Sequence, residues 1–171
     1  MVKLKEISED IRESWSCSSL LHPGNNLPML KGAAFVCAST AACPPGWTQF
    51  GSRCFIFYYN MKTWSDAEEF CISIGGNLAS IHNNEENSFL SDMVVRDTGS
   101  PAVTWVGGYD AVTEGQWMWS DGSKFDYTSF AIGQPDNIQQ SQHCLEMNYI
   151  VYKWNDRPCN QPWPFICAKR I

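Results

Sequence analysis

Eight cysteines are spread over 171 residues, and six of them lie between Cys43 and Cys167. None are spaced as CxxC, and their wide intervals do not suit a zinc site. Thiols placed this way point to disulfide cross-links and hence to an oxidising compartment, which makes the chain a secreted, extracellular protein in expectation. Eight cysteines allow too many pairings for composition to fix the connectivity. Their settings differ, however. Cys43 and Cys54 flank Pro44-Pro45-Gly46 and a short aromatic run, and Cys71 sits in a helical pattern. Cys144 and Cys159 bracket Trp154-Asn155-Asp156, and Cys167 is close to the end. Cys17 and Cys37 stand apart, free either to pair with each other or to join two chains as a disulfide-linked homodimer.

The length suits one domain with a sizeable core. Seven of the eight tryptophans follow Cys43, as a packed domain over residues 43–171 requires. The formal net charge of −6 belongs entirely to that part: residues 1–42 carry four basic and four acidic side chains, residues 43–171 eight and fourteen. An acidic domain without a basic stripe is a poor partner for nucleic acid, whose phosphates demand clustered Lys and Arg. It is equally poor for an anionic membrane surface. No segment approaches the ~20 apolar residues of a membrane span. Residues 1–42 read as a flexible N-terminal extension. Met1 to Glu13 is charged and helical in pattern, and His22-Pro23-Gly24-Asn25-Asn26 is a linker. Residues 29–42 end in the small residues Ala38-Ser39-Thr40-Ala41-Ala42 and read as a degraded or misplaced export signal, or part of a pro-segment.

From Cys43 the local signals become regular. Cys54 to Tyr59 is a strand by its aromatic and β-branched content. Thr63-Trp64-Ser65-Asp66 reads as a capping box, with Asp66 reaching back to the cap. Trp64, Ala67, Phe70, Cys71 and Ile74 then share one helical face, and Gly75-Gly76 ends the helix. Asn83 caps a second helix with Glu86 three residues on and Phe89, Leu90, Met93 and Val94 as its apolar stripe. From about residue 103 the chain reads as strand and loop: Val103–Gly108, Gln116–Trp119, Cys144–Tyr149 and Pro164–Ala168 are strands. Two helices followed by short strands make an α+β domain. The stretch from Phe125 to His143 is long, turn-rich and polar, as functional loops are.

Within and after that loop stand Gln134-Pro135-Asp136-Asn137 and Trp154-Asn155-Asp156. Carboxylate and amide oxygens on two neighbouring segments suit a hard cation such as Ca²⁺, which takes six to eight oxygen ligands. Such an ion can bind vicinal sugar hydroxyls in turn.

Taken together these landmarks resemble a C-type lectin-like domain over Cys43 to Ile171. The resemblance rests on Cys43-Pro44-Pro45-Gly46-Trp47, Trp105-Val106-Gly107-Gly108, Trp119-Ser120-Asp121-Gly122, the Gln-Pro-Asp and Trp-Asn-Asp motifs, and six cysteines in order. Secreted fish galactose-type lectins and type II antifreeze proteins are the most similar in flavour. The resemblance implies that family's two-helix fold with short antiparallel sheets and a long binding loop. It implies disulfides Cys43–Cys54, Cys71–Cys167 and Cys144–Cys159. It further implies calcium ligands at Gln134, Asp136, Gln142, Asn155 and Asp156, with carbohydrate contacts from Gln134, Asp136, Asn155, Asp156 and His143. Two departures matter. Gln142 stands where the family has a glutamate, so one full charge is missing. Extracellular calcium modules bind at roughly 10⁻⁴–10⁻³ M, and losing about 1.4 kcal/mol weakens that tenfold. The second departure is Ile138, which stands where galactose binders place an aromatic ring. Gln-Pro-Asp itself marks a galactose-type member.

The bland readings are few. Pro135, Asp136 and Asn137 are ordinary turn residues when taken alone. Trp105, Trp117 and Trp119 read as core, His143 as a loop histidine, and Glu85 and Glu86 as residues suited to a helix N-terminus. Catalysis finds no motif: the three histidines are scattered, and no nucleophile elbow, phosphate loop or zinc-protease helix is present. Only a Ser-His-Asp group assembled by folding stays open. The reading is therefore a calcium-dependent lectin for galactose-like glycans and no enzyme. Ice binding and a protein-ligand-binding subunit are its rivals.

Overall fold

The computed structural model describes residues 15–18, 36–39 and 42–171. The chain divides into two compact units, Met1–Ala42 and Cys43–Ile171. In the first, strand β1 (Trp15–Ser18) pairs antiparallel with β2 (Val36–Ser39), and the register sets Cys17 opposite Cys37. The expectation of an export signal or pro-segment otherwise lies outside the described residues.

The second unit begins with β3 (Thr48–Phe50) and β4 (Arg53–Lys62). Helix α1 (Trp64–Ser73) follows, its first turn capped by Thr63, whose Oγ1 accepts the Asp66 amide at 3.2 Å. The expected return bond from Asp66 is not formed among the described residues. A single methylene separates its carboxylate from Cα, too short a reach for a box that normally uses Glu or Gln. The helix stops where Gly75 takes φ +83°, which admits the amides of Gly75 and Gly76 to the carbonyls of Ile72 and Cys71 at 3.0 and 2.9 Å. After β5 (Asn77–Leu78), helix α2 (Asn84–Thr98) starts at Asn83, whose Oδ1 accepts the Glu86 amide at 2.8 Å. Glu86 does not return to the cap. Its Oε2 takes the His82 amide at 2.9 Å and its Oε1 takes Arg53 Nη1 at 2.9 Å, which ties α2 to β4.

The remaining strands are β6 (Thr104–Tyr109), β7 (Met118–Trp119), β8 (Cys144–Met147), β9 (Asn155–Arg157) and β10 (Trp163–Arg170). One sheet runs in the order β3-β4-β10-β6-β8-β9, with β5 on β10 and β7 on β6. Only the β10–β6 pairing is parallel. The chain's end therefore zips along β4 while joining the two halves of the sheet. Gly107 sits where a Cβ would come within 2.7 Å of the Leu78 carbonyl oxygen, which is why β6 carries no side chain there.

Two apolar clusters fill the fold. One gathers Leu90, Met93, Val94, Val106, Trp119, Leu145 and Trp154 between α2 and the sheet. The other gathers Ala67, Cys71, Leu78, Trp105, Phe165 and Cys167 under α1. Trp105 and Trp119 are buried, as read from the sequence. Within Cys43–Ile171, three disulfides are formed: Cys43–Cys54, Cys71–Cys167 and Cys144–Cys159.

Candidate functional site

Trp154 fixes the position of the Trp-Asn-Asp segment. Its ring is fully buried among Trp119, Phe125, Tyr127 and Phe130, at centroid distances from 5.5 to 6.2 Å. Its Nε1–H donates to Asn87 Oδ1 of α2 at 2.7 Å. On the backbone its amide donates to Ser129 and its carbonyl accepts from Ala131, both at 2.9 Å. These bonds staple the long loop to the start of β9. The next two residues, Asn155 and Asp156, are buried at the loop's edge as a result.

Asp156 then organises the loop. Its Oδ1 accepts the Asp136 amide at 3.1 Å and its Oδ2 accepts the Asn137 amide at 2.6 Å. The Gln134–Pro135 peptide is cis. Gln134 Nε2 donates to Asp136 Oδ2 at 3.1 Å, while Gln134 Oε1 is buried with no hydrogen-bond partner among the described residues. Gln142 closes the loop from the other side: its amide donates to Asn137 Oδ1 at 3.0 Å and its Oε1 accepts the Ile138 amide at 2.8 Å. Four of the five residues expected to act as ligands, Gln134, Asp136, Gln142 and Asp156, are thus joined by hydrogen bonds, directly or through Asn137, whereas Asn155 follows Trp154 on β9 and bonds to Glu146 instead. Asn137, Gln139 and Gln140 hold φ of 41°, 60° and 54°, a left-handed run that side chains rarely adopt.

A divalent cation fits this donor set. Gln134 Oε1 is an acceptor stranded without a proton donor, a costly arrangement for an amide oxygen. Asp136 and Asp156 supply two carboxylates, and a carboxylate oxygen that accepts one amide keeps a further lone pair. Such all-oxygen sets are what Ca²⁺ selects.

Behind Asn155 lies a charged pair. Glu146 on β8 is fully buried and directly opposite Asn155 in the β8–β9 register. Its Oε1 accepts Asn155 Nδ2 at 2.9 Å and its Oε2 accepts Arg157 Nε. Burial pushes the Glu146 carboxyl above its ordinary range, although the bonds from Arg157 and Asn155 oppose that shift. Beside the loop is a second group. His143 Nδ1 lies 3.0 Å from Asp110 Oδ1 and 3.4 Å from Glu114 Oε2, and Glu114 also accepts Asn137 Nδ2 at 2.5 Å. His143, expected as a sugar contact, is therefore engaged with Asp110, which is itself buried and accepts the Gly115 amide at 2.8 Å.

Folding also aligns serine, histidine and aspartate elsewhere. His82 Nδ1 lies 3.2 Å from Asp126 Oδ1, and its Nε2 lies 3.1 Å from Ser80 Oγ and 3.3 Å from Ser123 Oγ. Neither hydroxyl is poised to attack. Both donate their single proton to Asp121, at 2.6 and 2.5 Å, and Ser80 is fully buried. The group acts as a structural network tied to Arg53, which donates to Ser80 at 2.9 Å.

The sequence named the five ligand candidates and placed Asn137 in the loop motif, but it did not place Asp110, Glu114 or Glu146 at the site. Nothing near Asp110 or Glu114 announces chemistry, since a β-turn explains both residues. Glu146 did carry a signal, a charged residue inside an otherwise apolar strand (Cys144-Leu145-Glu146-Met147). A charge at such a position needs a partner.

Comparison with known proteins bears on this geometry. The model for the Lectin C-type domain matches residues 60–169. The galactose-specific lectin nattectin of Thalassophryne nattereri is 46% identical over 140 residues, covering 82% of this chain and 88% of that protein. A type-2 ice-structuring protein of Hemitripterus americanus is 32% identical over 154 residues, covering 86% and 90%. Among solved structures, the herring type II antifreeze protein superposes with a TM-score of 0.70 at 37% identity, covering 75% of this chain and 99% of that one. With its two helices, mixed sheet and three disulfides, the chain belongs to the C-type lectin domain family.

Proposed function

We propose that the loop and β9 together form a calcium-dependent binding site for galactose-like glycans in a secreted protein. The ion would be held by Gln134, Asp136, Gln142, Asn155 and Asp156, and when bound it offers coordination positions to two vicinal hydroxyl oxygens. The chain's own groups set the rest. Asp136 is exposed and can accept a hydroxyl proton, while the second amide hydrogen of Asn155 can donate to a hydroxyl oxygen. Gln134 and Asp136, bonded to each other, form the specificity pair and present amide and carboxylate in the galactose-type order. The observation that carries this reading is the buried, unpartnered Gln134 Oε1 within a cluster that already holds two carboxylates. The name of nattectin as a galactose-specific lectin supports the sugar class.

Lactose-affinity chromatography tests it. The wild type should be retained in calcium and eluted by chelator, and Asp156→Ala should pass through because two loop amides lose their acceptor. Retention that survives both chelator and Asp156→Ala contradicts the mechanism. Ice binding is the second reading, favoured by the exposed Ile132, Ile138 and Val151 and by the ice-structuring relative. Thermal hysteresis in the same preparations decides it. Mobility on non-reducing gels reports whether Cys17 or Cys37 links two chains.

A further inference from the structure

We infer that Glu146 is a positioning residue that holds the Asn155 amide with its carbonyl oxygen turned toward the Asp136–Asp156 cluster; this inference rests on the proposed cation site. An amide side chain can turn over with little change in shape, so something must choose which end faces the loop. Here a carboxylate paired with the Arg157 guanidinium makes the choice. It accepts bonds and donates none, so only the NH₂ end of Asn155 can face Glu146 Oε1 at 2.9 Å. Oδ1 is left as the free end. The register gives no room for drift, since Glu146 and Asn155 are direct partners across β8 and β9. Both are buried, 0% and 4% exposed, so water cannot substitute for either.

Arg157 completes the device. Its Nε–H bonds Glu146 Oε2, and its guanidinium lies over the Trp163 ring at 5.2 Å. With both carboxylate oxygens taken, one by Arg157 and one by Asn155, Glu146 cannot rotate without breaking a charge-assisted bond. The pair thus has a direction: Arg157 holds Glu146, Glu146 holds Asn155, and Asn155 presents an oxygen. A fold-stabilising role for Glu146 would require the arginine bond alone. The second bond, to a residue of the cluster, is the part it leaves unexplained.

An isosteric exchange separates the two roles. In Glu146→Gln the side-chain oxygen stays with Arg157 and an NH₂ group faces Asn155. The Asn155 amide should therefore turn over and withdraw its oxygen from the cluster. Removing a partner that orients a ligand typically costs about 10- to 100-fold in metal affinity, and Glu146→Gln should weaken Ca²⁺ by that factor in a calcium titration. The swap Glu146→Gln with Asn155→Asp restores a donor facing an acceptor, and affinity should return to at least the wild-type value. Glu146→Gln with unchanged affinity, or a swap as weak as the single variant, overturns the assignment. A readout independent of the ion is the Asn155 side-chain amide resonance in cation-free protein. One of its two protons should exchange slowly in the wild type and rapidly in Glu146→Gln, and fast exchange in the wild type overturns the positioning role. Failure of the wild type to bind Ca²⁺ while that proton stays protected would instead refute the cation site.

Discussion

Replacing Trp154 by phenylalanine probes the joint on which the site hangs. The indole is fully buried, packed against four aromatic rings, and bonded through Nε1 to Asn87 Oδ1 at 2.7 Å. Phenylalanine removes three ring atoms. At about 0.8 kcal/mol per buried carbon-sized group, the lost burial is roughly 2 kcal/mol. Asn87 is 2% exposed, so its Oδ1 is left without water or donor, which costs about 1–3 kcal/mol more. The expected destabilisation is therefore about 3–5 kcal/mol, a large share of the ~5–15 kcal/mol typical of a domain. Thermal unfolding followed by circular dichroism should show Tm lowered by about 10–20 °C for a domain of this size. Because the Ser129 and Ala131 bonds flank the same residue, calcium binding should weaken along with stability. A double-mutant cycle with Asn87→Ala isolates the hydrogen bond, with a coupling of about 1 kcal/mol or more expected. A Tm loss below 5 °C, or additive single and double variants, would refute the reasoning.

Gln142→Glu should tighten calcium about tenfold, because a full charge replaces an amide at a proposed ligand position, and a calcium titration of the variant beside the wild type reads this directly. Failure to tighten would place residue 142 outside the ion's reach. Asp121 should shape the acid limb of stability. Burial works to raise its pKa, but hydrogen bonds from Ser123 and Ser80 and the charge of Arg53 outweigh this, and the net shift is downward. A depressed folded-state pKa means its contribution is present above the unfolded value, near 4, and is lost as pH falls through the folded value. Tm measured against pH should therefore decline from about pH 4 downward in the wild type and less steeply in Asp121→Asn. Parallel curves would contradict this.

Local signals carried the helices because their ends are chemically marked. Thr63 and Asn83 hold their caps, and Gly75 supplies the left-handed stop. The cysteine pairing came from the resemblance and agrees with the fold, whereas spacing alone left it open. What stayed hidden depends on distance in sequence. Glu86 was read as a cap partner, yet its bond crosses 33 residues to Arg53, and no local pattern encodes that. Asp110, Glu114 and His143 meet only because β6 and β8 are neighbours, with the Asp110 amide bonded to the His143 carbonyl at 3.1 Å. The left-handed run at Asn137, Gln139 and Gln140 is equally illegible, since glutamine does not favour it and Asn137 is held by Asp156 and Glu114, both distant in sequence.

Melting of the wild-type protein with chelator and with 10 mM Ca²⁺ tests the central claim most directly. If the loop and β9 hold the ion with a dissociation constant near 1 mM, binding adds about 1.4 kcal/mol, and Tm rises by several degrees, with Mg²⁺ at the same concentration giving less. An identical Tm in chelator and in calcium would contradict the account.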